Sequence, residues 1–288
     1  LKNLLISFLL LWVFGHTAQN APVDPKDKKQ VATIQNLVNY LDHDTCVDKQ
    51  FSVVFYVVLD SLYSPIPATQ PTLNAMIDQM NLVFKPICVS FLNCSTVYIP
   101  NYTYNRWRRT SIEPVVTNNY YTEKTINIYI VDSVKTPNGN EVLGYAYGPN
   151  IVPYIPAAPT RSDIVVLEKT YLLNPNFWAL FHHLGHFFGL PHTSDEIGTN
   201  TSTVTPAPDP TVISYEFADG SNCAEHGDGF CDTEADNNSL TVFKDGKNDF
   251  YIPPVDNFMS LNLSGCRYTQ QQMSYMARII ARKRLYLH

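Results

Sequence analysis

Residues 182–192 read HHLGHFFGLPH. On an α-helix, side chains four positions apart lie one turn apart on the same face, so His182 and His186 project together, as two imidazoles must to hold one zinc ion. Gly189 is free to take the left-handed backbone that ends a helix and turns the chain back, which brings His192 round as a third nitrogen. Three protein ligands leave a tetrahedral zinc with one open position. A solitary histidine on an apolar helix is ordinarily a packed side chain, but three at this spacing, with a glycine at the required bend, ask for a metal. His43, His226 and His288 fall in no comparable pattern.

The flanks of this stretch read as an α/β protein. Residues 174–188 form a helix with Asn174 as N-cap, Pro175 in the first turn, and Gly189 and Pro191 as the stop. Upstream, 51–59 is a β-branched and aromatic run of strand type, while 29–40 and 70–84 carry apolar residues at helical spacing, the latter through Leu73, Met76, Ile77, Met80 and Val83. Residues 125–134 and 163–167 read as further strands, with 144–147 as a short edge strand between them. From 193 to 251 the chain is rich in Asp, Asn, Ser, Thr and Pro and reads as a loop-dominated second lobe. Residues 270–287 close it as a basic amphipathic helix, whose Arg and Lys run is a solvated face suited to the helix dipole.

At 288 residues and 45% hydrophobic content the chain can bury a sizeable core. Its net charge of −6, from 26 acidic and 20 basic residues without a long run of either sign, excludes the electrostatic footprint of a nucleic-acid binder. Residues 1–21 read as a secretory signal peptide: Lys2 starts it, 4–15 are apolar, and Ala18 and Ala21 offer small-residue cleavage points. No later stretch has the length of apolar residues that crosses a bilayer. The expected location is therefore secreted or extracellular, or periplasmic in a bacterium. Export permits disulfides among Cys46, Cys88, Cys94, Cys223, Cys231 and Cys266, with fifteen full pairings open. Cys88 and Cys94 are placed to close a short loop. Asn93, Asn101, Asn200, Asn237 and Asn262 head Asn-x-Ser/Thr triplets, which matter only in a eukaryotic secretory pathway.

The histidine run resembles the metzincin pattern His-Glu-x-x-His-x-x-Gly-x-x-His followed by a Met-turn. Downstream, GDGFCDTEAD at 227–236, DNFMS at 256–260 and CRYTQQQMSYM at 266–276 resemble, in that order, the loop, Met-turn and closing helix of pappalysin-type metzincins. With a looser match at the 70–84 helix and at Gly144, Tyr145 and Ala146, the resemblance spans roughly residues 70–280. It implies a twisted mixed α/β sheet with a backing and an active-site helix above a cleft, over a smaller loop-rich lobe with a C-terminal helix. The domain would occupy 22–288, its upper lobe at about 45–192 and its lower lobe at about 193–288. It also implies His182, His186 and His192 as zinc ligands, Met259 as an apolar floor beneath the metal, and the strand at Gly144, Tyr145 and Ala146 as the edge that holds an extended peptide by strand addition. A disulfide between Cys231 and Cys266 is implied too. Asp228, Asp232 and Asp236 would suit calcium, or form a solvated loop.

The sequence departs from that pattern at two positions. Where the resembled enzymes carry a glutamate that takes a proton from the attacking water, this chain has His183; where they carry a tyrosine two residues after the Met-turn methionine, it has Leu261. Loss of a general acid/base costs about 10²–10⁴ in rate and loss of an oxyanion donor about 10²–10³. A neutral imidazole at 183 has one acceptor nitrogen and so offers a replacement base, or a fourth ligand that makes the zinc structural. The expected function is thus a secreted zinc-binding metallopeptidase homologue that binds or acts on extended peptides with impaired or no hydrolysis; the alternatives are an active zinc endopeptidase using His183 as base and a non-catalytic binding module with structural zinc.

Overall fold

The computed structural model describes residues 46–60, 68–149, 161–173, 177–195, 216–224, 226–237, 244–262 and 264–288. The expected signal peptide at 1–21, the helix at 29–40, Asn174 and Pro175 at the expected helix start, and Asn200 lie outside them.

A five-stranded sheet organises the first half of the chain. Its strands are β1 (Lys49–Val58), β2 (Val89–Ile99), β4 (Ile126–Val131), β7 (Gly144–Ala146) and β8 (Ile164–Glu168), in the spatial order β2-β1-β4-β8-β7. The first four run parallel and β7 runs antiparallel to β8 at one edge, so the sheet is mixed. Alternate residues of β1 serve two cores: Phe51, Val53, Phe55 and Val57 face one, and Val54, Tyr56 and Val58 the other. Burial of both faces explains why these strands read as nearly continuous apolar runs rather than strict alternations.

Three helices pack into the first core: α1 (Gln70–Phe84), α3 (Trp178–Phe187) and α4 (Gln270–Ile279). Helix α1 starts at Thr69, whose hydroxyl accepts from Thr72 N, and buries Leu73, Met76, Ile77, Met80 and Phe84. The second core lies under α2 (Ile112–Asn119) and a three-stranded sheet of β3 (Arg106–Arg108), β5 (Ser133–Lys135) and β6 (Glu141–Val142). Among the described residues no helix is long and apolar enough to cross a membrane.

Four expectations are corrected. The run at 125–134 is two strands: the Asp132 carboxylate turns to the buried ammonium of Lys169 (2.9 Å), and the chain then leaves the large sheet to pair with β3. The C-terminal helix is α-helical only to Ile279 and continues as a π-helical turn, Ile280–Arg284. Arg282 and Lys283 on that turn are exposed as expected, but Arg284 is buried and bonds Asp163.

Both expected disulfides are also absent, because the backbone brings other cysteines together. Cys46 pairs with Cys88 (Cα–Cα 4.8 Å) and Cys223 with Cys231 (5.2 Å), leaving Cys94 and Cys266 as exposed thiols. The register Lys49↔Val89, with Lys49 N donating to Cys88 O, sets Cys46 and Cys88 side by side at the head of two parallel strands. Six extended residues put Cys94 about 20 Å beyond Cys88, several times the reach of a disulfide.

Candidate metal centre

Helix α3 is apolar nearly all round, with every residue from Trp178 to Phe187 buried except His186, which is half-buried. It ends as its sequence requires. Gly189 takes φ +95°, Gly189 N donates to His186 O and Leu190 N donates to Gly185 O, a Schellman cap that returns the chain across the helix end. That return brings His192 alongside the helical pair. His186 Nε2 lies 3.2 Å from His182 Nε2 and 3.1 Å from His192 Nε2, and the three ligand atoms all fall within 4.8 Å of one another.

The outer nitrogens decide what the inner ones are. His182 Nδ1 lies 2.8 Å from Phe258 O, and His186 Nδ1 lies 2.8 Å from Leu190 O. His192 Nδ1 lies 3.2 Å from the Asp195 carboxylate, which also accepts His192 N at 2.9 Å. Each Nδ1 faces an acceptor and therefore carries the proton, so three Nε2 lone pairs converge. Lone pairs at this distance repel, and a cation between them removes the conflict, which is how histidine metal sites fix their tautomers. Burial, followed by the neighbouring imidazoles, pushes the basicity of His182 well below the usual histidine range and that of His186 down to about 4, which keeps both rings neutral as ligands must be. Burial works against the Asp195 carboxylate, but the His192 ring and N–H outweigh it and hold Asp195 below its usual range.

The 256–260 loop supports two of these ligands. Phe258 supplies the carbonyl for His182, and Met259 O accepts Thr193 N, fixing the residue after His192. The fully buried Met259 side chain packs on Gly185, where a Cβ would lie 2.2 Å from its sulfur. Gly185 is thus an interior helix glycine with a packing reason. Such a glycine costs a helix about 1 kcal/mol, a signal by which sequence reasoning could have found it but did not. Asp195, three residues past His192, had no comparable signal.

His183 is buried beside these rings, yet among the described residues neither Nδ1 nor Nε2 has a hydrogen-bond partner. Its ring lies against β7: a Cβ on Gly144 would fall 2.7 Å from His183 Nε2 and 2.3 Å from Val166 O. Leu261 is half-buried and presents no polar side-chain atom. In β7, Tyr145 pairs with Val166 and Ala146 with Val165, and the strand's other side is unpaired among the described strands. Tyr145 and the following Tyr147 anchor on the opposite face of the sheet. Both hydroxyls donate to the buried Glu113 carboxylate, and Arg109 Nε donates to Tyr147 Oη at 2.9 Å.

The acidic loop does not gather. Asp228 Oδ1 accepts Phe230 N and the Thr233 hydroxyl, Asp232 accepts Gln271 N at the start of α4, and Asp236 accepts the Thr193 hydroxyl. Cys231 N is held by Gln271 and Cys266 N by Asp256 O, which places the two expected disulfide partners in separate bonding arrangements.

The mixed sheet with α1 and α3 packed on one face, and three imidazoles at the end of α3, make a metzincin-like fold. No family model and no curated protein matches the chain. Among solved structures, a mutant promirolysin of Tannerella forsythia aligns over 92% of this chain and 91% of its own, at 15% identity and a TM-score of 0.56, which is a likeness of fold. Mature mirolysin of the same organism, in complex with a cleaved peptide, aligns over 79% and 89% at 15% identity and TM-score 0.47. Archaemetzincin from Methanopyrus kandleri aligns over 81% and 97% at 13% identity and TM-score 0.39.

Proposed function

We propose that this chain is an exported zinc-binding protein of pappalysin-type metzincin descent that binds extended peptides along β7 and hydrolyses them poorly or not at all. The observation that carries the reading is a complete set of three oriented imidazoles with no carboxylate at position 183 beside them. The residues fit zinc: three neutral nitrogens with their outer N–H groups engaged are the donor set of a tetrahedral site. Zinc bound there would act as a Lewis acid toward a peptide carbonyl only where its fourth position is open. The two Cys–Cys bridges agree with an oxidising compartment.

The chain's own residues divide the work. His182, His186 and His192 hold the ion; Phe258 O, Leu190 O and Asp195 hold the rings. The edge of β7, unpaired among the described strands, offers backbone N–H and C=O groups to an extended chain, and the Tyr145 and Tyr147 anchors keep that edge in place. Proton movement is the deficient step. His183 is sealed against Gly144 and neutral, since burial followed by the neighbouring rings pushes its basicity well below the usual range. A weakened base with one acceptor nitrogen is a poor substitute for a carboxylate, and Leu261 donates nothing to a developing oxyanion.

The test is to purify the mature chain, count zinc, and compare peptide cleavage with that of a His183→Glu/Leu261→Tyr variant. One zinc per chain, peptide retention, and cleavage at least about 10²-fold faster in the variant are expected. Cleavage by the unmodified chain at peptidase rates, abolished by a chelator, would sink the impaired-site reading.

A further inference from the structure

A poor base at position 183 does not account for the His183 imidazole having no hydrogen-bond partner on either nitrogen among the described residues. A buried polar atom without a partner keeps an uncompensated desolvation cost, and a pair on one ring points to something that completes the site. The ring's position narrows what that is. Around a tetrahedral ion with Zn–N near 2.0–2.1 Å, imidazole centroids sit about 5 Å apart. The three ligand rings are spaced at 4.7, 5.1 and 4.6 Å. The His183 ring stands next to this trio, its centroid 5.2 Å from His182 and 6.2 Å from His186, while the converging group itself is His182, His186 and His192. No carboxylate stands between them: among the described residues the converging group is histidine alone, and Asp195 is engaged on the outer side of His192.

We infer that His183 is the fourth nitrogen ligand when the centre is loaded, so that the site is closed and the metal structural. This rests on the zinc reading above and explains the impairment more fully than loss of a base does, because a fourth imidazole takes the position a peptide carbonyl would need. One ring nitrogen gives its lone pair to the ion and the other keeps the proton. Gly144 matters because a Cβ there would meet the ring, 2.7 Å from Nε2 and 2.8 Å from Cδ2.

X-ray absorption of the zinc-loaded chain counts imidazoles directly, and the visible spectrum of the cobalt-loaded chain, with and without azide, reports whether a position is open. Four imidazoles and a spectrum unmoved by azide are expected for the native chain. For His183→Ala, three imidazoles plus one oxygen and an azide-dependent shift are expected. Three imidazoles plus an oxygen in the native chain, with the same azide response as the variant, would overturn the inference whether or not the variant folds. A chain that takes up no zinc at all would instead overturn the reading beneath it.

Discussion

Asp195 shows how a single residue outside the recognisable pattern sets the quality of the site. Its carboxylate takes both the N–H and Nδ1 of His192, so it fixes the loop conformation and the tautomer of the third ligand at once. Replacing such an outer partner usually lowers metal affinity about 10–100-fold. We expect that loss in Asp195→Asn, read by competition against a chromophoric chelator; unchanged affinity would show that His192 is oriented by the Gly189 turn alone. The convergence of His182, His186 and His192 was legible in the sequence because helical spacing and one glycine constrain it. Asp195 was not, because it meets His192 through a local turn with no periodic pattern.

At the level of the element, α3 is unusual in carrying its polar groups on the buried side. Without metal, His182 and His186 must stay neutral in the fold, whereas in the unfolded chain they titrate near the ordinary 6.5. A folded value below the unfolded one means that the unfolded chain binds more protons as pH falls, so stability present above about 6.5 drains away toward about 4. The midpoint of thermal unfolding of the chelator-treated chain should fall across that window, and zinc should delay the fall. A flat profile without metal would contradict the buried-neutral assignment. The elements themselves were readable where burial is one-sided or continuous, as in β1 and α1. The split at Asp132 was not, since its cause is an ion pair with Lys169, 37 positions on. The disulfides escaped for a related reason: the parallel register of β1 and β2 pairs Cys46 with Cys88 and draws Cys88 away from Cys94.

Across the whole molecule, Arg284 ties together parts that are remote in sequence. Its guanidinium donates to Asp163 at the start of β8, to Tyr147 O beyond β7 and to Phe187 O at the end of α3, and it lies over the Phe187 ring. Removing one partner of a buried pair costs about 3–5 kcal/mol, so Arg284→Met should lower the urea midpoint by that equivalent, and Asp163→Asn in the same chain should restore part of it. A loss below about 1 kcal/mol would mean that the tyrosine hydroxyls on Asp163 carry the bond network alone. This long-range role was hidden in the sequence, where Arg284 is one of several basic residues on an amphipathic stretch. Its consequence lies in how the molecule breathes. With one cation clasping the sheet edge, helix α3 and the tail, none of the three can fray by itself, and solvent reaches their amides only through a single shared opening.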